Sequence, residues 1–265
     1  MRIGAIPISR IASPRHPGSV IEFVADKASI SMSVTLNAGA PTPLWTVREA
    51  DGAVYTYTTA AITHNRTAAG PMRVTLDRRV YPWVTHLAAF GCGLTGDWHI
   101  SRLRVLPAVK DVQLYTNASL RCLGALADLP STMTHLHLGS TSSVITGALA
   151  DLPSTMTYLA LYGTSSVITG GATAMAARGA LDIRLYSTGR NTAQVDEILA
   201  RIYADRALFT TAVTRVLQVG GTNAAPTGTY AANCPTAATG KEMAYHLVND
   251  PCTEGHKLWT VTFTA

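Results

Sequence analysis

Residues 124–146, GALADLPSTMTHLHLGSTSSVIT, are followed at once by residues 147–169, GALADLPSTMTYLALYGTSSVIT. The copies differ at four places only: His135/Tyr158, His137/Ala160, Gly139/Tyr162 and Ser140/Gly163. A unit this short cannot bury an apolar face alone, so it must stack on neighbours of the same kind. More distant copies extend the stack. The spacing L-x-x-L-P recurs at Leu103–Pro107, Leu126–Pro130 and Leu149–Pro153, and each is followed by a short alternating run, DVQLY, HLHLG or YLALY. HLAAF at His86–Phe90, DIRLY at Asp182–Tyr186 and VLQVG at Val216–Gly220 are further copies without the prolyl element.

Alternation with period two sends successive side chains to opposite faces of a strand. One set is apolar: Leu87/Ala89, Val112/Leu114, Leu136/Leu138, Leu159/Leu161, Ile183/Leu185 and Leu217/Val219. Stacked in register, these form two continuous ladders, which predicts parallel strands centred on residues 87, 112, 136, 159, 183 and 217. The opposite face carries three columns. The first is His86, Asp111, His135, Tyr158, Asp182; the second Ala88, Gln113, His137, Ala160, Arg184; the third Phe90, Tyr115, Gly139, Tyr162, Tyr186. Three of the four differences between the near-identical copies lie in these columns, and the fourth begins the next loop. Packing held the core positions while this face changed, and the exposed STSS loop changed only at its first residue. Selection for binding accounts for that pattern better than neutral drift.

Leu126-x-x-Leu129, Met133-x-x-Leu136-x-Leu138 and Ile145, repeated as Leu149, Leu152, Met156, Leu159, Leu161 and Ile168, resemble the leucine-rich repeat family, in particular its bacterial and phage-borne surface proteins. The similarity covers about residues 84–185 and continues more weakly to Val219. It implies a parallel-sheet horseshoe, mostly β with few helices, whose exposed concave sheet binds a partner. On that footing the candidate ligand-binding residues are Tyr115, His135, His137, Tyr158, Tyr162, Arg184 and Tyr186. Tyrosine and arginine are favoured anchors at recognition surfaces. The resemblance also implies a cell-surface, extracellular or virion setting, with a protein or glycan as the partner, and receptor binding or adhesion as the role. The alternative is a structural or assembly spacer without a specific ligand. One departure matters: Thr141 and Thr164 stand near where the family has its asparagine ladder, so hydroxyls of the TSS loops have to satisfy the turn instead.

The flanking segments read differently. Residues 1–19 are rich in Pro, Ser and Arg and are expected to be an arm or linker, with no apolar stretch of signal-peptide length. Over residues 20–80, SISMSVTL, LWTVRE, AVYTYT and MRVTLD alternate as strands, and Asp51-Gly52 is a hairpin signal. This stretch resembles an immunoglobulin-like domain of the polycystic-kidney-disease type, best in ITHNRTAAGPMRVTLD. It is expected to cap the open end of a solenoid over 81–222. Within that solenoid, NTAQVDEILARIYADRAL predicts a helix, with Val195, Ile198, Leu199, Ile202 and Tyr203 on one face and an Asn191/Gln194 capping box. Residues 223–265 are expected to form a small β cap.

Other chemistry is mostly excluded. Hydrophobic residues make up 47% of the 265 and charged residues 14%, so the chain is a folded, rather dry protein. Its net charge of +5 comes from scattered Lys and Arg with no basic run, which argues against nucleic acid as a partner. No apolar stretch is long enough to insert into a membrane. GCGLTG at 91–96 has the letters of a dinucleotide fingerprint, but no helix pattern follows it and it aligns with the repeat. No nucleophile, metalloprotease or phosphate-loop motif occurs, so no enzyme and no cofactor are expected. Asp111, His135 and His137 on neighbouring strands are an alternative zinc constellation. Of four cysteines, Cys92 and Cys122 read as small buried residues, whereas Cys234 and Cys252 flank a Pro- and Gly-marked terminal segment that a bridge would hold.

Overall fold

The computed structural model describes residues 20–41, 45–209, 215–231, 233–234, 236–252 and 259–264. The arm expected over 1–19 lies outside them. Where the sequence alternates, strands form. The N-terminal block holds β1 (Glu22–Ala25), β2 (Ser29–Leu36), β3 (Trp45–Arg48), β4 (Val54–Tyr57), β5 (Ala61–Asn65) and β6 (Met72–Leu76). Asp51-Gly52 turns β3 into β4; Gly52 takes a φ of +94°, and the Asp51 carboxylate accepts from the Ala53 amide.

Each of the first four repeats then gives one strand to each of two sheets, and the later face strands have no opposing strand among the described residues. The face series is β7 (Val84–Ala88), β9 (Asp111–Gln113), β11 (His135–His137), β13 (Tyr158–Ala160), β15 (Asp182–Arg184), β16 (Arg215–Gln218) and β17 (Trp259–Thr262). The opposing series is β8 (Leu94–His99), β10 (Leu120–Ala125), β12 (Val144–Ala148) and β14 (Val167–Thr169). Within each series neighbouring strands run parallel. Leu87 pairs with Val112, Val112 with Leu136, Leu136 with Leu159, Leu159 with Ile183, and Ile183 with Leu217. Each of these six side chains is 0% exposed. The core lies between the two sheets as one contiguous cluster.

The molecule is therefore mostly β, with two large mixed sheets. Among the described residues one sheet has eight strands, in the order β14-β12-β10-β8-β1-β6-β3-β4, and the other nine, β17-β16-β15-β13-β11-β9-β7-β2-β5. The N-terminal block is not laid over the end of the stack as a separate lid. It continues both sheets, by antiparallel pairing of β1 with β8 and of β2 with β7. Backbone groups that would be orphaned on the first repeat are satisfied in this way.

The L-x-x-L-P elements form short 3-10 turns at Ile100–Val105, Leu126–Asp128 and Leu149–Asp151. Asp128 and Asp151 recur because each caps its turn: their carboxylates accept from the amides of Ala125 and Ala148, at 3.1 and 2.8 Å. At the other end of each face strand the chain enters a left-handed residue. Thr116, Ser140 and Ser187 have φ of 56°, 54° and 55°, and Gly91, Gly163 and Gly221 occupy the same place. The fourth difference between the copies, Ser140/Gly163, is thus a turn position.

The turns after the face strands are satisfied by an asparagine in one repeat and by hydroxyls in the next two. Asn117 is buried; its amide donates to the carbonyls of Leu114 and Ala89, and its oxygen accepts from the Leu94 amide. In the next repeat Thr141 donates to Leu138 O at 2.7 Å, while Ser143 accepts from Cys122 N at 3.1 Å. Thr164 and Ser166 do the same toward Leu161 O and Ile145 N. Each pair of hydroxyls is bonded together, at 2.5 and 2.9 Å. Two short side chains divide the donor and acceptor roles of one amide. The STSS loop expected to be exposed thus has Thr141, Ser143, Thr164 and Ser166 buried, and packing accounts for its constancy.

The predicted helix is α1 (Thr192–Ala204), followed by a 3-10 turn at Arg206–Leu208. Asn191 and Gln194 make the capping box, and all five residues of the expected face are buried. It lies beside β14, where Gly171 N donates to Glu197. The last segment differs from the small β cap expected over 223–265. It holds a second helix, α2 (Gly240–Asn249), packed on α1, with β17 as its strand. The signal was present: Thr239 and Glu242 form a capping box at S/T-x-x-E spacing, and Glu242 accepts from the Ala238 and Thr239 amides. A ten-residue helix shows too few turns for periodicity alone to reveal it. Cys234 and Cys252 are joined in a disulfide around this helix.

Candidate functional site

Parallel pairing in register sets the exposed side chains of the face series in columns about 4.8 Å apart. His86 pairs with Asp111, Asp111 with His135, His135 with Tyr158 and Tyr158 with Asp182, which is the first column read from the sequence. The third column continues past the strand ends. Gly91 N bonds to Tyr115 O, Thr116 N to Gly139 O, Ser140 N to Tyr162 O and Gly163 N to Tyr186 O.

All seven candidate residues lie on this one face, half-buried, and their side chains are in mutual contact. Tyr115 stacks on His137 with ring centres 4.0 Å apart, and His135 on Tyr158 at 4.0 Å. Tyr162 and Tyr186 are stacked at 4.7 Å and within 3° of parallel. His137 joins the rows: its Nε2 is 3.0 Å from the Tyr162 hydroxyl and its ring meets Tyr158 edge-on. Arg184 lies over Tyr158 with its guanidinium carbon 5.1 Å from the ring centre, and it pairs with Asp182 at 3.0 Å.

Two differences between the copies are coupled here. A Cβ built on Gly139 would clash with the Tyr162 ring, within 2.7 Å of three of its carbons. The small residue in one repeat makes room for the large one in the next, and that lets Tyr162 reach His137. Ala160, fully buried, is the floor between Tyr158 and Tyr162 on its own strand.

Burial and neighbours set the charge of the face. Burial lowers the pKa of His137 to about 4, with His135 and Arg184 adding to the effect. Burial likewise lowers His135, against the pull of Asp111 and Asp182. Both imidazoles are neutral at pH 7. Burial raises Tyr158 and Tyr162. For Asp111 burial acts upward, but the hydrogen bond from His86 and the charges around it bring its pKa below the ordinary carboxylate value. Its acceptors are engaged by His86 at 2.8 Å and Gln113 at 3.1 Å.

The zinc constellation does not assemble. Asp111 turns to His86 and Gln113, while His135 and His137 give their ring faces to Tyr158 and Tyr115. Among the described residues no group of three or more potential ligands that could hold a metal is found. GCGLTG leads into β8, not a helix, with Gly91, Gly93 and Gly96 all at positive φ. Cys92 and Cys122 are free and buried; burial pushes both thiols up, Cys122 to about 12, so neither is a nucleophile at neutral pH. Glu49, His64 and Tyr57 form a hydrogen-bonded chain of acid–base groups in the N-terminal block, but Glu49 and His64 are each 3% exposed and sealed from ligand.

The seven residues leave out Phe90. It is 53% exposed and begins the aromatic row, stacked on Tyr115 at 5.1 Å and 6°. Its place in the third column is the signal that finds it. No helix among the described residues is long and apolar enough to cross a membrane. No family model matches the chain, and no curated protein or solved structure matches it.

Proposed function

We propose that the chain is a leucine-rich-repeat recognition module that binds a protein or glycan partner with the exposed face of its nine-stranded sheet, in a cell-surface or virion setting. The observation that carries this is the interlocked aromatic patch of Tyr115, His135, His137, Tyr158, Tyr162, Arg184 and Tyr186, built in the columns that contain three of the four differences between two near-identical repeats. Rigid stacked aromatics lose little conformational entropy on binding. Further support for the family comes from Val112-x-Leu114-x-x-Asn117, which has the strand-and-asparagine spacing of such repeats, and from Cys92 at the corresponding place five residues after Leu87. The Cys234–Cys252 bridge fits an oxidising, extracellular environment. No step of chemistry is assigned to the face.

The test is binding of the labelled protein to a panel of intact bacterial cells, comparing wild type with Tyr115→Ser and Arg184→Ser. Each variant should lose about 2 kcal/mol or more of binding free energy, the size of a hot-spot truncation. Its circular dichroism should be unchanged. Normal binding by both variants would move the site off this face and leave the sheet a spacer.

A further inference from the structure

The unstacked end faces of the aromatic row and the internal pairing of its charges identify the class of ligand, given that this face is the binding surface proposed above. Within the row the ring faces are taken by neighbours. Tyr115 lies between Phe90 and His137, and Tyr158 between His135 and Arg184. What these rings offer outward is their edges and hydroxyls. The hydroxyls of Tyr115, Tyr158 and Tyr186 have no hydrogen-bond partner among the described residues, whereas that of Tyr162 is bonded to His137.

The two ends of the row are different. Phe90 has Tyr115 on one side only, and continuing the β2–β7 register places Ser31 opposite it. Tyr186 has Tyr162 on one side, and opposite it on the next strand is Gly220, which has no side chain. Among the described residues no ring stacks on the outer side of either end ring; Phe90 is 53% exposed there, and Tyr186 is half-buried beside Gly220. The ends are four strand spacings apart, about 19 Å, and five residues along a strand make the patch about 13 Å wide. That footprint, roughly 250 Å², is well under the ~800 Å² each partner contributes to a standard protein interface.

Charge narrows the choice. Asp182 is paired with Arg184, Asp111 is engaged by His86 and Gln113, and both central histidines are neutral. The hydroxyls left free within the row are neutral and can both donate and accept, as the hydroxyls of an uncharged sugar do, while Lys27 stands at the rim and donates to Gly91 O beside Phe90. Small hydroxyl residues border one edge of the patch, Ser31, Ser33 and Thr35 on β2, and Val216 and Gln218 of β16 border the other. We propose that this face binds a short neutral oligosaccharide, with sugar rings packed on the outer faces of Phe90 and Tyr186 and sugar hydroxyls bonded to the tyrosine hydroxyls between them.

The experiment is affinity electrophoresis of the whole chain through gels containing neutral polysaccharides (dextran, xylan, galactomannan, mixed-linkage β-glucan) or acidic ones (heparin, alginate). It is paired with an array of neutral and sialylated oligosaccharides. Retention by at least one neutral glycan is expected, weakened at least ten-fold by Phe90→Ala and by Tyr186→Ala and kept by Phe90→Trp. Phe90 is exposed, so its variants fold. Absence of neutral-glycan binding, binding confined to acidic glycans, or wild-type behaviour of both alanine variants overturns the proposal. Cell binding after periodate or protease treatment separates the two levels. Binding that survives periodate, is lost on protease treatment and still fails with Tyr115→Ser leaves the recognition face standing and removes the sugar. Cell binding that ignores every face variant removes both.

Discussion

The antiparallel N-terminal block and the parallel stack share both sheets, yet they bury polar groups in opposite ways. The block gathers them into one cluster. Glu49 accepts from Thr67 N, Thr67 Oγ1, Ala68 N and His64 Nε2, and His64 passes the chain on to Tyr57. The stack spreads them, one small device per turn: Asn117, Thr141 with Ser143, Thr164 with Ser166, and Asn223 bonded to Leu185 O and Val219 O. A turn that recurs every repeat needs a local answer that each copy carries with it, whereas a single sandwich-like block can pool its demands. The comparison also shows that a turn constrains bonding roles more than residue type, since a threonine and a serine do the work of one asparagine.

The largest expected effect tests whether the stack depends on its ladder. Leu159→Ala, at a fully buried rung, should lower the unfolding free energy by about 2–5 kcal/mol in a urea titration. Because strands pair across the junction of block and stack, the loss should appear in one transition; two separate transitions would show that the block folds apart from the stack. Next in size, opening the Cys234–Cys252 loop with Cys252→Ser should cost about 3 kcal/mol, read from the thermal transition under non-reducing conditions. Asn117→Ala strands Leu94 N and two carbonyls and should cost about 1–3 kcal/mol. Thr141→Val removes one hydroxyl of a pair and should cost about 1 kcal/mol. A Thr141→Val cost equal to that of Asn117→Ala would mean the two hydroxyls do not share the load.

The last effect is one of pH, and it separates the two regions by their titration windows. His137 in the stack is lowered from 6.5 to about 4, so the unfolded chain binds more protons between those values. Stability there should fall as pH drops from 6.5 toward 4, and His137→Gln should flatten that limb, leaving the smaller share of His135. Glu49 in the block behaves as a lowered carboxylate. Burial pushes it up, but the bonds from Thr67, His64 and Ala68 hold it at about 2, against an ordinary 4.5. Its contribution is complete above 4.5 and is lost as pH falls toward 2. Denaturation midpoints from pH 8 to pH 2 should therefore descend in two stages, and Glu49→Gln should alter the lower one only.

Repeat spacing and period-two alternation are local properties of the chain, so the sequence by itself determined six of the seven face strands, their register, the ladder leucines and the three columns, whereas β17, expected in a separate cap, extends the same sheet. It also marked α1, through five apolar positions and a capping box. Three things waited for the tertiary structure. The edge pairing of β1 with β8 and of β2 with β7 joins residues far apart in the chain, and no local pattern specifies which strand edges meet. The Thr–Ser surrogate depends on a bond to the preceding repeat, from Cys122 N to Ser143 and from Ile145 N to Ser166, which exists only once the repeats stack. The character of the face was the third. The sequence placed Gly139 and Tyr162 in one column, but that Tyr162 fills the space above Gly139 and bonds to His137 follows from ring size and strand spacing. Composition named the aromatics; packing decided which of their faces are left unstacked.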